Sequence, residues 1–274
     1  MKLAMSSWFY HWAISRGEMD QMQWIELCAR LKLDGVELLD IHFPSRSPRR
    51  LQEVIQKCQE LNLEVAAASV SNDFGLPEKR LRAANRKKVS QWIGLAKRLG
   101  APALRVFSGW PGVGNRLLYE KERERLWPEM INHLRSLAEE AGVAGIVLAL
   151  ENHNHNGFTR SADDLLQILR QVNSEHLKVT LDTGDYIVDT AELNGYPAVE
   201  RVAYHAALVH AKLYEVDGQG KDLKQDYERI FDILVAAGYD GYLSIEYEGP
   251  ADPTNVPRGV KFLRAEMERR GLRG

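Results

Sequence analysis

Eight times along its 274 residues the chain passes from a short, nearly unbroken apolar run to a longer stretch with apolar residues at helical spacing. The runs predict strands over Lys2–Ser7, Gly35–Leu39, Leu63–Ser69, Ala103–Phe107, Gly145–Leu150, Lys178–Asp182, Ala206–Lys212 and Tyr242–Glu246. Runs this apolar suit parallel strands covered on both faces, because crossover helices shield each side of such a sheet. Eight strand-helix units that close on themselves leave no open sheet edge. The expectation is an α/β protein, a single-domain (β/α)₈ barrel over residues 1–274, close to the roughly 250 residues that such a barrel takes.

Helix punctuation agrees. Ser47-Pro48 offers an N-cap followed by proline at the first helical position. Ser161 and Asp164 form a variant capping box before Leu165, Ile168, Leu169 and Val172. Gly100 and Gly238 follow apolar stripes as C-terminal caps. The basic stretch from Lys79 to Lys88 reads as a solvated helix face.

Four residues with metal-ligand chemistry end four successive runs: Glu151, Asp182, His210 and Glu246. The gaps are 31, 28 and 36 residues (182−151, 210−182, 246−210), each about one strand-helix-strand unit. In a barrel these positions converge on the C-terminal mouth, where catalytic residues sit. Three carboxylates and an imidazole suit one divalent cation, with Mn²⁺ favoured and Co²⁺, Mg²⁺ or Zn²⁺ as alternatives. Lower-ranked substrate contacts at the same strand ends are His153, Asp185, Lys212, Arg105 and Asn72. Glu37 and His42 share such positions but read as structural. Trp8, Phe9 and Trp110 are candidates to wall a substrate pocket, since aromatic faces stack on the apolar faces of ligands.

A formal net charge of −2 provides no basic excess to neutralise a phosphate backbone, which argues against nucleic acid as substrate. The longest small-apolar run, Ala141 to Leu150, falls short of the roughly 18 residues of a membrane span. Cys28 and Cys58 lie on separate apolar helix stripes, as buried thiols in a reducing cytoplasm would. The expected partner is a small molecule, without membrane or nucleic acid, and a homo-oligomer is compatible.

The segments LALENHNHNGFTRSADDLLQIL, VTLDTGD, VHAK and GYDGYLSIEYEG resemble the xylose isomerase-like barrel superfamily of sugar phosphate isomerases and epimerases. The resemblance implies that Glu151, Asp182, His210 and Glu246 hold the metal. It also implies that Glu151 and Glu246 exchange a proton on opposite faces of one sugar carbon through an enediolate. The implied activity is a divalent-metal-dependent sugar isomerase or epimerase. A metal-dependent lyase, such as a dehydratase or a C-glycoside or 3-keto-sugar cleaving enzyme, uses the same ligands. The chain departs from the ketohexose epimerases at three places where they carry His, Glu and Arg. Asp185, Gly157 and the Val216–Asp217 stretch stand there instead. No phosphate loop is present, so an unphosphorylated substrate is expected.

Overall fold

The computed structural model describes residues 1–112, 118–153, 156–250, 252 and 254–272. Its eight strands are β1 (Lys2–Ser6), β2 (Gly35–Leu39), β3 (Glu64–Ser69), β4 (Ala103–Val106), β5 (Val147–Glu151), β6 (Leu177–Asp182), β7 (Ala206–Leu213) and β8 (Tyr242–Tyr247). They pair in parallel in chain order, and β8 returns to β1 to close the barrel. All eight predicted strands are present. Differences of one or two residues have local causes. Gly145 takes φ 77° as the C-cap of the preceding helix, so β5 starts only at Val147. β4 stops at Val106 because the Phe107 N–H donates to the Asn72 side chain.

The described helices are α1 (His11–Ser15), α2 (Gln21–Arg30), α3 (Pro48–Glu60), α4 (Lys79–Leu99), α5 (Tyr119–Ala144), α6 (Ala162–Val172), α7 (Gly195–Val202), α8 (Tyr227–Ala236) and α9 (Asn255–Arg269). The cap signals hold: Ser47 Oγ accepts the Arg50 N–H, Ser161 Oγ accepts the Asp164 N–H, and Gly100 adopts the left-handed conformation. One apolar core lies between strands and helices, with Trp24, Val54, Trp92, Leu134, Ile168 and Leu234 fully buried. Each such side chain contributes about 1.5–3 kcal/mol through burial, so the helix ring holds the barrel in register.

The solvated reading of Lys79–Lys88 needs one correction. Arg82 is buried, because its guanidinium donates to the Leu76 and Pro77 carbonyls and pairs with Glu129 on α5 at 2.7 Å. Both free cysteines are buried, as expected. Among the described residues no helix is long and apolar enough to cross a membrane.

Candidate functional site

Parallel register sets the site. Asp182 on β6 lies beside His210 on β7, and Lys212 on β7 lies beside Glu246 on β8. Residues two apart on a strand share a face, so His210 and Lys212 both enter the barrel, one above the other. Glu151 ends β5 on the same inner surface. His210 Nδ1 then faces three carboxylates: Glu151 Oε1 at 3.2 Å, Glu246 Oε2 at 3.7 Å and Asp182 Oδ2 at 4.0 Å. The structure thus brings together all four residues picked out as ligands, each 5% exposed or less.

Two buried cations share this acidic basin. Lys212 Nζ lies 2.9 Å from Asp182 Oδ2, 3.4 Å from Glu246 Oε2 and 3.0 Å from Glu248 Oε1. Arg105 Nε lies 3.2 Å from Glu151 Oε2. Burial disfavours charge on His210, yet the carboxylates of Glu37, Glu246 and Glu151 outweigh it and hold its pKa well above the usual value. Lys212 is likewise pushed up, with the desolvation cost exceeded by Asp182, Glu246 and Glu248. The two glutamates diverge. Burial raises Glu246, whereas for Glu151 the charges of His210 and Arg105 overcome burial and lower it.

The donor set fits a divalent cation. One ligand atom each from Glu151, Asp182 and His210 lie within 4.8 Å of one another, and so do those from Glu37, His210 and Glu246. Glu151 Oε2 is buried without a hydrogen bond, the Arg105 contact being misaligned for one. Such an acceptor is costly unless a cation completes it. Oxygen-rich coordination of this kind suits hard ions such as Mg²⁺ or Mn²⁺.

Supporting residues lie behind the ligands. The Asn152 amide donates to the Asp182 carbonyl at 2.9 Å, and its oxygen accepts the Asp182 N–H at 2.9 Å. The Asp185 N–H donates to Asp182 Oδ1 at 2.9 Å. Asp185 itself is 2% exposed and lies behind Asp182, outside the lining of the cavity above. Gly184 is dictated by close approach: a Cβ there would sit 2.8 Å from Lys212 Cβ and 2.5 Å from the Tyr214 hydroxyl.

The basin opens into a cavity of about 440 Å³. Its floor includes Glu151, Glu246 and Lys212; its walls include Trp8, Asn72, Arg105, Phe107, Trp110 and His153. His153 packs against the rings of Phe107 and Trp110 at 4.8 and 5.4 Å, and burial lowers its pKa, which favours a neutral imidazole. Asn72 reaches the cavity wall while its amide brackets Phe107, donating to its carbonyl at 2.7 Å. Trp8 and Trp110 stand on this wall, whereas Phe9 faces away, edge-on to Tyr247 at 4.8 Å. His155 lies outside the described residues.

Two residues read as unremarkable or passed over in the sequence belong here. Glu37 is fully buried, accepting from His210 Nε2 at 3.1 Å and from Ser69 Oγ at 2.5 Å. Its signal was a lone carboxylate inside the apolar run GVELL, where a charge needs a partner. Glu248 follows Glu246 by two and reaches Lys212, also on the cavity wall.

Among solved structures, D-psicose 3-epimerase from Clostridium cellulolyticum H10, crystallised with D-tagatose, is 17% identical at TM-score 0.75, covering 97% of this chain and 99% of that one. The 3-keto-D-glucoside 4-epimerase of E. coli is 19% identical at TM-score 0.74, with 97% and 99% covered. A xylose isomerase-like TIM barrel protein from Mycobacterium smegmatis, in complex with magnesium, is 15% identical at TM-score 0.72, with 98% and 97% covered. At such identities the likeness speaks for the fold. No curated protein sequence matches the chain. The family described as xylose isomerase-like TIM barrel matches residues 25–266, nearly the whole of the closed barrel and all four converging residues, and the chain belongs to that family.

Proposed function

We propose that this protein is a divalent-metal-dependent isomerase or epimerase of an unphosphorylated sugar or keto-sugar. The observation that carries the reading is the convergence of Glu151, Glu246 and Asp182 on His210 Nδ1, at 3.2, 3.7 and 4.0 Å, on and beneath the floor of a cavity with aromatic walls. Glu151, Asp182, His210 and Glu246 would hold the cation. When bound, it supplies a Lewis acid that polarises a sugar carbonyl and acidifies the adjacent C–H.

The remaining work falls to side chains. Glu151 and Glu246 flank the floor from β5 and β8, so a sugar carbon above them meets a carboxylate from either side. One accepts the proton; the other returns it to the opposite face. General base catalysis of this kind contributes about 10²–10⁴-fold. Lys212 and the neutral His153 donate hydrogen bonds to substrate oxygens, and Trp8 and Trp110 shield the reacting carbon from water. The names of the epimerase neighbours, which act on ketohexoses and on a 3-keto-glucoside, support sugar chemistry.

A lyase reading draws on one observation: the Lys212 ammonium stands on the cavity floor, where it would donate a hydrogen bond to a departing hydroxyl. Incubation with a panel of keto-sugars in deuterated water separates the readings. Epimerisation or isomerisation places one deuterium on carbon without loss of mass. Dehydration removes water and creates an enone-like absorbance. Absence of exchange with every sugar, metal supplied, would leave only a sugar-binding barrel.

A further inference from the structure

A second cavity of about 780 Å³ adjoins the first, and Trp8 and Glu248 line both. Its surface is aromatic and aliphatic: Phe9, Tyr10, Trp12 and Tyr247 face it together with Pro257. The Trp12 side chain is 69% exposed and Trp8 41%, costly placements for two indoles at the mouth of a barrel. The charged groups around this cavity are already matched. Arg16 Nε binds Glu18 at 2.6 Å, Glu248 binds Lys212 at 3.0 Å and Asp252 binds Arg258 at 3.2 Å. Trp8 stacks on His11 at 5.1 Å and Trp12 meets the same ring edge-on at 5.1 Å; the neutral ring surface that these contacts leave open to solvent recognises an uncharged aromatic group by stacking.

We infer that the substrate is a two-part molecule, a sugar over the acidic floor and an uncharged aromatic substituent laid past Trp8 into the second cavity. This rests on the sugar reading above, and the continuity of the two cavities across Trp8 supplies the direction of the link. An aryl glycoside oxidised to a keto-sugar fills both and carries the carbonyl that the sugar reading requires.

The test uses phenyl β-D-glucopyranoside and methyl β-D-glucopyranoside as probes, titrated calorimetrically into the Mn²⁺-loaded protein and into the Trp12→Ala variant. The phenyl glycoside is expected to bind at least about tenfold more tightly than the methyl glycoside. Trp12→Ala should remove most of that preference and leave methyl glycoside binding unchanged, since Trp12 lines only the second cavity. Equal affinities for the two probes would overturn the two-part substrate while sparing the sugar site. Binding of neither would overturn the two-part substrate, while the sugar reading stands or falls with the deuterium-exchange panel. A dimer that Trp12→Ala dissociates, with the aryl preference intact, would assign this face to a second copy of the chain and overturn the inference.

Discussion

His210 Nε2 lies 3.1 Å from both carboxylate oxygens of Glu37, so the ring is clamped from behind while Nδ1 faces Glu151, Asp182 and Glu246. The Nε2–H donates to Glu37, which fixes the ring plane; a cation bound as proposed would displace the Nδ1 proton and take the lone pair on that side. An outer carboxylate of this kind orients a ligand histidine and raises its basicity.

Glu37→Gln keeps the shape and removes the charge. Metal affinity is expected to fall about 10- to 100-fold. Calorimetric titration with Mn²⁺ measures it, with circular dichroism as a check on folding. Unchanged affinity in a folded variant would mean that Glu37 serves only the barrel interior.

In the proposed mechanism, Glu246→Gln and Glu151→Gln each remove a ligand charge and a proton carrier. Solvent-deuterium exchange into a turned-over keto-sugar should fall by at least about 10²–10⁴ in each variant. If Glu151→Gln kept most of its turnover with metal bound, a two-carboxylate proton exchange would be ruled out.

The barrel and the four converging residues were legible because both arise from periodicity. Alternating runs fix the strand count, and crossover lengths put Glu151, Asp182, His210 and Glu246 at one edge. Glu37 and Glu248 were not, since their roles depend on which side chains meet across the barrel. Glu37 is on β2, 173 residues from its partner His210. Asp185 illustrates the reverse: it stands next to a motif, yet a π-helical turn from Asp185 to Asp189 folds it behind Asp182. Arg82 shows why a basic run is an unreliable sign of a solvated face, for one carbonyl-capping arginine was hidden in it.

Gly184→Ala tests the packing that admits Lys212. The added methyl would meet Lys212 Cβ and Cγ at 2.8 Å, so the ammonium must withdraw from Asp182 and Glu246. A displacement near 1 Å at an active site can cost about 10²-fold, so kcat/KM should drop by about ten- to a hundredfold with the fold retained. Steady-state kinetics on any sugar that exchanges deuterium gives the answer. Wild-type kcat/KM would place Lys212 outside the chemistry.

His42 sets a pH limit on stability, independent of the metal. Burial and the nearby His11 lower its pKa to about 4, and Ser7 Oγ lies 2.6 Å from its Nδ1. The unfolded chain protonates this ring near pH 6.5 and the folded protein only near 4, so the unfolded state binds more protons in between. Stability contributed by the neutral ring is therefore intact above about pH 6.5 and lost as pH falls towards 4, by roughly 2–3 kcal/mol. Urea unfolding with a chelator present, at pH 7 and pH 5, should show about 2 kcal/mol of that loss in the wild type and a smaller one in His42→Gln. Identical pH slopes would remove His42 from the explanation.

The central claim is that Glu151, Asp182, His210 and Glu246 together hold one divalent cation at the barrel mouth. Crystals grown with Mn²⁺ and measured at the manganese absorption edge test it most directly. The account predicts a single strong anomalous peak among these four side chains, with oxygen ligands at about 2.0–2.6 Å and His210 coordinating through Nδ1. No peak there at millimolar Mn²⁺, with Lys212 still bound to Asp182 and Glu246, would contradict it.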